Sequence, residues 1–331
     1  MDLPDPFGIV SQLASPMKAI VCKHYGPPEE LQYKDVPQLE PRKNQIRIRV
    51  KAAAINDYDW SLVRGKPTAY RLIFGLRKPR KPIPGMEVAG IVDAVGPGAT
   101  RFNIGDAVYG DTSDHGFGSF AEYLCIDERA VLLKPEHLTF VEATAVPHAL
   151  CLAHQGLQLG GLLPKMNVLI NGAGGGVGTF ALQLAKRQGA TVTGVDTGDK
   201  LEQMRALGFD HIIDYKTQDF TTTGQHYDLV LDTKSTRSPA SVKHALAPGG
   251  VYVTVGGDPG RLIQFLFARI FGRKNMRILA LKPNKGLEAL HPLFAEGLRP
   301  VVDGPHPLED APRLIRYFGD GKHFGKVVIE V

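Results

Sequence analysis

The chain has 331 residues, 43% hydrophobic and 22% charged, with 39 Lys or Arg against 34 Asp or Glu and a formal net charge of +5. That length points to two domains, and the composition excludes disordered and fibrous classes. Cys22, Cys125 and Cys151 lack paired spacing, which excludes a disulfide framework or a Cys-rich zinc lobe, and no apolar run reaches the roughly 18 residues of a membrane span. A reducing cytoplasm is the expected compartment. The basic residues are scattered. Their densest run, "RLIFGLRKPRKP" (Arg71 to Pro82), is short and broken by prolines, so it reads as a solvated loop and no nucleic-acid partner is expected.

In chain order, residues 1–16 show no clear periodicity and read as an N-terminal extension. From Met17 the pattern becomes strand-like. In "QIRIRVKAAAI", Ile46, Ile48 and Val50 alternate with Arg47, Arg49 and Lys51, a strand with one buried face. "EVAGIVDAVG" and "DAVYG" continue a mostly β domain punctuated by Gly and Pro. "PEHLTFVEATAVPHALCLAHQGL" (Pro135 to Leu157) predicts a helical bridge, with His148 and His154 as ordinary helix residues. Beyond it the strands "NVLIN", "TVTGV", "HIIDY", "DLVLDT" and "GGVYVTVG" alternate with the helical segments "TFALQLAKRQG", "DKLEQMRALG" and "SPASVKHALAPG". In the first of these helices Phe180, Leu184 and Ala185 share one side. Alternating β and α with apolar strands predicts a doubly wound parallel sheet, hence an α/β fold.

Between the first of those strands and its helix lies "INGAGGGVG", Ile170 to Gly178. Glycine costs about 0.5 to 1 kcal/mol against alanine inside an element, so this concentration needs a reason, and a phosphate supplies one. The fingerprint is Ala173-x-Gly175-x-x-Gly178, with alanine where the commonest form has its first glycine. Gly175 permits backbone approach to a pyrophosphate. Gly178 permits helix-on-strand packing, and the N–H groups opening the helix at Gly176 and Val177 attract the anion. Asp196 ends the next strand about 20 residues on, where a carboxylate accepts from ribose hydroxyls. Its alternative role is to cap the helix starting near Asp199. Lys200 stands close enough in sequence to offset part of the Asp196 charge. Tyr215, Val255 and Gly256, each at a strand end, complete the expected cofactor-binding set.

The stretch "AGGGVG" with Gln183 and Lys186 resembles the signature of the zinc-independent quinone oxidoreductase branch of the medium-chain dehydrogenase/reductase superfamily. Further likenesses are "AAAINDYDWSLVRG", "PIPGMEVAGIV", "GDAVYG", "GSFAEY" and "GKVVIEV". The resemblance implies a GroES-like β-barrel catalytic domain (17–140 and 303–331) around an inserted Rossmann domain (141–302). It also implies a homodimer and an NAD(P)H-dependent reductase of quinones or α,β-unsaturated carbonyls. Zinc alcohol dehydrogenases of the superfamily carry cysteine and histidine at the positions of Asn56 and Met86, so no zinc is expected, and Glu87 alone cannot hold one. The threonine that relatives carry near the bridge helix is Leu152 here.

Asn56 is the expected catalytic hydrogen-bond donor to an acceptor carbonyl. Tyr58 is a candidate proton donor, weighed against simple packing; Trp60 and Tyr70 are candidates for an aromatic slot, against the same alternative. Asp196 tilts the cofactor expectation toward NADH. The segment from Leu262 to Phe271 is expected either to cover the nicotinamide side or to pack into a dimer. Two other readings stand beside the reductase: a zinc-free alcohol dehydrogenase, and a non-catalytic NAD(P)H sensor or RNA-binding protein of the same fold.

Overall fold

Period-two segments build one compact unit and alternating β and α segments build another. In the computed structural model, which describes residues 16–257 and 259–331, the first unit comprises the chain up to Pro147 with Val302–Lys322 and Val327–Val331. The second comprises His148–Val301 with His323–Lys326.

The first unit opens with β1 (Pro16–Val21) paired antiparallel to β2 (Gln32–Pro37), Met17 opposite Val36. Pro16 thus already belongs to a strand, and the rest of the expected extension lies outside the described residues. β3 (Gln45–Ala54) buries Ile46, Ile48 and Val50 and turns Arg47 outward to Asp93 at 2.9 Å and Glu40 at 2.8 Å. After α1 (Asp57–Arg64) and α2 (Arg71–Phe74) come β4 (Glu87–Val95), β5 (Ala107–Asp111), β6 (Tyr123–Asp127), β7 (Leu132–Leu133) and α3 (Phe140–Thr144). β3 is the hub, pairing antiparallel with both β4 and β6. Its inward residues pack with Val88, Val92, Phe102 and Val108, and burying each such side chain contributes about 1.5–3 kcal/mol.

The second unit runs through α4 (Pro147–Gly160), β8 (Asn167–Asn171), α5 (Gly176–Arg187), β9 (Thr191–Asp196), α6 (Leu201–Leu207), β10 (His211–Asp214) and β11 (Tyr227–Asp232). It continues with α7 (Pro239–Lys243), β12 (Leu246–Thr254), α8 (Pro259–Ile270), β13 (Met276–Ile278) and α9 (His291–Ala295). Its six strands lie in the order β10-β9-β8-β11-β12-β13, every pairing parallel. The order reverses between β8 and β11, which makes the carboxyl end of β8 the topological switch point where open sheets of this kind take ligands. The chain then returns through β14 (Val302–Pro307) and α10 (Ala311–Gly319) to β15 (Lys326–Glu330), which pairs antiparallel with β3, Val328 opposite Ala54.

Local details depart from the sequence expectations. The segment 141–147, expected with the sheet domain, groups with the first unit, because Phe140, Val141 and Ala145 pack on Ala52, Ala54 and Val328. His323–Lys326 groups with the second, since Gly325 N–H donates to Gly174 O and Lys326 N–H to Val301 O, both at 2.8 Å. The helix expected over Ser238 to Gly249 stops at Lys243, and Leu246 to Gly249 extend β12. On α5, Phe180 and Ala185 are buried as expected, together with Gly178, Thr179, Ala181 and Leu182, but Leu184 is only half-buried.

Candidate functional site

The carboxyl end of β8 turns through Gly172, at φ +83°, a conformation that glycine adopts without strain. Gly172 and Ala173 N–H groups both donate to Val195 O, tying the loop to β9. Gly175 is the N-cap of α5, and Thr179 N–H makes the first intrahelical bond to Gly175 O at 3.0 Å. The N–H groups of the opening turn therefore have no partner within the helix.

The glycines serve different masters. A methyl group on Gly178 would stand 2.5–2.6 Å from Ala173 O, Ala173 Cα and Gly172 O, so this glycine lets α5 rest on its own loop. Ala173 is fully buried, and its methyl group takes the first fingerprint position without crowding the turn. At Gly175 a methyl group would meet only Gly172 O, at 3.5 Å, an ordinary contact. The protein's own packing thus leaves the space before Gly175 open, beside half-buried Val177, and an extended phosphate moiety fits that cradle.

Asp196, only 5% exposed, closes the loop from the side. Its carboxylate accepts from Gly174 N–H and Thr197 N–H, each at 2.8 Å, and pairs with Lys200 Nζ at 3.5 Å. Capping of the following turn falls to the Thr197 hydroxyl, which accepts from Asp199 N–H, so the capping alternative for Asp196 is set aside. Tyr215 is 46% exposed and donates its backbone N–H to Asp196 O.

Three further residues reach this loop that the sequence analysis did not single out. His323 and Lys326 are buried, and Phe324 Cδ2 would stand 3.2 Å from a methyl group on Gly174. The Lys326 stem lies along Gly176, where a methyl group would stand 2.6 Å from its Cδ. Burial foremost, and then the fields of Lys200, Lys234 and Lys326, push the His323 imidazole down to about 3, so it stays neutral amid the lysines. The result is a positive field at a helix N-terminus. The closing "GKVVIEV" was a signal for this segment, but nothing in its pattern says that it returns to a loop so far upstream.

At the other side of the switch point, the fully buried Asp232 carboxylate accepts from Asn171 Nδ2, Tyr252 Oη and the Lys234 and Ser235 N–H groups, at 2.8–2.9 Å. Ser235 Oγ and Thr254 Oγ1 then donate to Gly256 O at 2.7 and 2.6 Å. The backbone at Val255 and Gly256 is thereby fixed by side chains two strands deep.

In the first unit, Asn56 precedes α1 as its N-cap. Its N–H donates to Asp59 Oδ2 at 2.9 Å, while Asp59 Oδ1 accepts from Gly85 N–H. The Asn56 amide donates to Glu87 Oε2 at 2.7 Å and to Ala54 O at 3.3 Å, all within buried surroundings. An acceptor carbonyl would have to compete with the longer bond. Half-buried Tyr58 packs edge-on to Phe74, centroids 6.3 Å apart, and near Tyr70 at 6.4 Å. Burial, aided by Asp57, pushes its phenol up to about 12, so it keeps its proton at neutral pH. Trp60 stacks under the Arg64 guanidinium at 4.0 Å and against Gly319, and both Trp60 and Tyr70 pack on the cluster formed by Ile20, Leu62, Phe74 and Phe120. Met86 is fully buried. The amide and thioether at 56 and 86 do not suit zinc, and among the described residues no three His, Cys, Asp or Glu side chains stand where they could hold one ion.

Residues 42–136 match the family described as the alcohol dehydrogenase GroES-like domain, and residues 207–329 match that described as zinc-binding dehydrogenase. A tomato (Solanum lycopersicum) 2-methylene-furan-3-one reductase is 32% identical over 96% of this chain and 80% of its own length. The chloroplastic NADPH-dependent alkenal/one oxidoreductase of Arabidopsis thaliana is 31% identical over 95% of this chain and 79% of its own. The solved quinone oxidoreductase of Coxiella burnetii superposes with a TM-score of 0.82 at 28% identity, covering 96% of this chain and all of that one.

Proposed function

We propose, from the premise that this chain belongs to the quinone and enone reductase group of the medium-chain dehydrogenase/reductase superfamily, that it transfers hydride from NAD(P)H to quinones or α,β-unsaturated carbonyl compounds without zinc. The observation that carries this reading is the glycine loop, open before Gly175 and lined by a helix N-terminus and buried cations. The reduced nicotinamide supplies the hydride. The chain's own residues bind, orient and exclude water.

In this reading Ala173, Gly175, Gly176, Val177 and Gly178 hold the pyrophosphate through backbone N–H groups. Val255 and Gly256, steadied by Asp232 and Ser235, contact the nicotinamide end. A quinone or enone delocalises the charge that hydride brings, so hydrogen bonding suffices in place of a Lewis acid. Asn56 is the residue assigned to give that bond, by releasing Ala54 O while Glu87 keeps the amide plane fixed. Tyr58, with its raised pKa, is better suited to lining the acceptor site than to proton delivery.

Asp196 favours NADH, because a 2′-phosphate would approach a carboxylate; Lys200 offsets part of that charge and limits the preference to about tenfold, or about 1.4 kcal/mol. The reading includes the cytoplasm as compartment and a homodimer.

The test mixes the purified chain with NADH or NADPH and a panel of quinones and enones, following the nicotinamide absorbance band, with simple alcohols and NAD⁺ as the reverse panel. Fast turnover from reduced cofactor and negligible alcohol oxidation are expected. Preferential alcohol oxidation would assign the chain to alcohol dehydrogenases, and cofactor binding without turnover on any acceptor would assign it to non-catalytic sensors.

A further inference from the structure

Surface helices ordinarily turn a polar side to water, and α8 does the reverse. Its core side carries Phe265, fully buried and stacked on Tyr252 with centroids 4.6 Å apart. The outward side carries Ile263, Leu266, Phe267 and Ile270, 53, 48, 54 and 64% exposed, and Phe271, just past the helix, is 80% exposed. Their spacing of i, i+3, i+4, i+7 and i+8 places all five on one stripe. Phe267 and Phe271 stack on each other at 6.3 Å. Single exposed apolar residues are ordinary, but a contiguous stripe of this size marks a docking face.

The neighbouring charge selects the occupant. From Pro259 to Leu287 the chain carries seven Lys or Arg, among them Arg261, Arg269, Arg273 and Lys274, and no Asp or Glu. A second copy docking on the same stripe would set that cationic segment against itself. A bilayer surface containing anionic lipid satisfies both features, taking the apolar stripe at the headgroup–acyl boundary and the cations at the phosphates. No helix among the described residues is long and apolar enough to cross a membrane, so the attachment lies along the surface.

We propose that α8, with Phe271 and the basic turn after it, is an interfacial anchor that binds the protein reversibly to anionic bilayers. The anchor goes beyond the reductase reading and does not depend on it. It begins just after Gly257, at the carboxyl end of β12, the same edge of the sheet that carries the glycine loop.

The test is co-sedimentation of the full chain with phosphatidylcholine vesicles, with and without phosphatidylglycerol, read as bound protein and not as activity. At low salt, binding to the anionic vesicles is expected to exceed binding to neutral ones about tenfold. It should largely disappear near 1 M salt, where the screening length falls to about 3 Å. The double variants Phe267→Ser/Phe271→Ser and Arg273→Gln/Lys274→Gln are each expected to lose at least about fivefold in binding while keeping the wild-type melting temperature, since Phe267, Phe271 and Lys274 are exposed and Arg273 is half-buried. Equal binding to both vesicle types, or binding that neither variant weakens, would overturn the proposal. So would a lipid-free dimer that dissociates in Phe267→Ser/Phe271→Ser, which would give the stripe to a second copy.

Discussion

At the glycine loop the chain offers a ligand its backbone and an absence of side chains, whereas at Asn56 it offers one side chain already engaged with Glu87 and Ala54. The difference lies in what each region must do unaided. The loop can stay open before Gly175 because neighbouring Gly178, Gly172 and Asp196 hold its shape. The Asn56 amide lies in a buried setting beside fully buried Glu87, where an unsatisfied polar group costs about 1–3 kcal/mol, so it is engaged before any substrate arrives. On that contrast, ligand-side changes at the loop should cost little stability, and a change at the buried Asn56 amide should cost more.

The sharpest way to break this contrast is within the loop itself. Gly178→Val, whose side chain would meet three backbone atoms at 2.5–2.6 Å, is expected to cost about 3 kcal/mol or more, visible as a fall in melting temperature. Gly175→Ala is expected to leave melting nearly unchanged and to weaken NAD(P)H binding at least about tenfold by titration, about 1.4 kcal/mol. Equal effects of both substitutions on stability would mean that the open space at Gly175 is needed for folding and not for a ligand.

Next in size, Asn56→Ala should lower kcat about 30-fold, or about 2 kcal/mol, while the cofactor dissociation constant stays within about twofold. Unchanged kcat in folded protein would remove Asn56 from the chemistry and leave it as a partner of Glu87. Asp196→Ser comes third. Removing the carboxylate removes the negative charge that faces a 2′-phosphate, so the ratio of NADPH to NADH affinity should rise about tenfold, with both cofactors bound somewhat more weakly because Gly174 N–H loses its acceptor. A wild type that already binds NADPH more tightly would show that Lys200 outweighs Asp196.

A separate effect, on stability alone, is the pH dependence set by His323. Above its ordinary value of 6.5 neither the folded nor the unfolded chain binds a proton there, whereas between 6.5 and about 3 the unfolded chain does and the folded one does not. Stability therefore falls as pH drops below 6.5, by about 2 kcal/mol at pH 5 from this residue. His323→Gln should flatten that part of the profile in denaturant titrations, and an unaltered slope would place the proton elsewhere.

How much of this was legible beforehand follows the same division. The alternation at Ile46, the parallel sheet and the fingerprint through Gly178 are local patterns with fixed periods or spacings, and sequence carries such patterns openly. The family likeness proposes Asn56 as the donor to an acceptor carbonyl, but its bonds to Glu87 and Ala54 depend on β3, α1 and β4 meeting, which no spacing encodes. The setting of His323 and Lys326 arises only when the chain comes back to Gly174, which no local pattern carries. The end of the helix at Lys243 was overrun because "ALAPG" satisfies helix and strand grammar alike, and β12 pairing with β11 decided it.

The hydrogen bond from Gly325 to Gly174, with the parallel bridge between Gly175 and Gly325, also imposes an order on synthesis. The ribosome releases the glycine loop, α5 and most of the parallel sheet long before it makes His323–Lys326. A nascent chain can assemble the sheet early, yet the face proposed to bind the pyrophosphate stays unfinished until a segment far downstream arrives. A message cut short ahead of Gly325 would therefore yield a polypeptide with strands to pair and no complete grip on a nucleotide, a partially built product for the cell's proteases to clear.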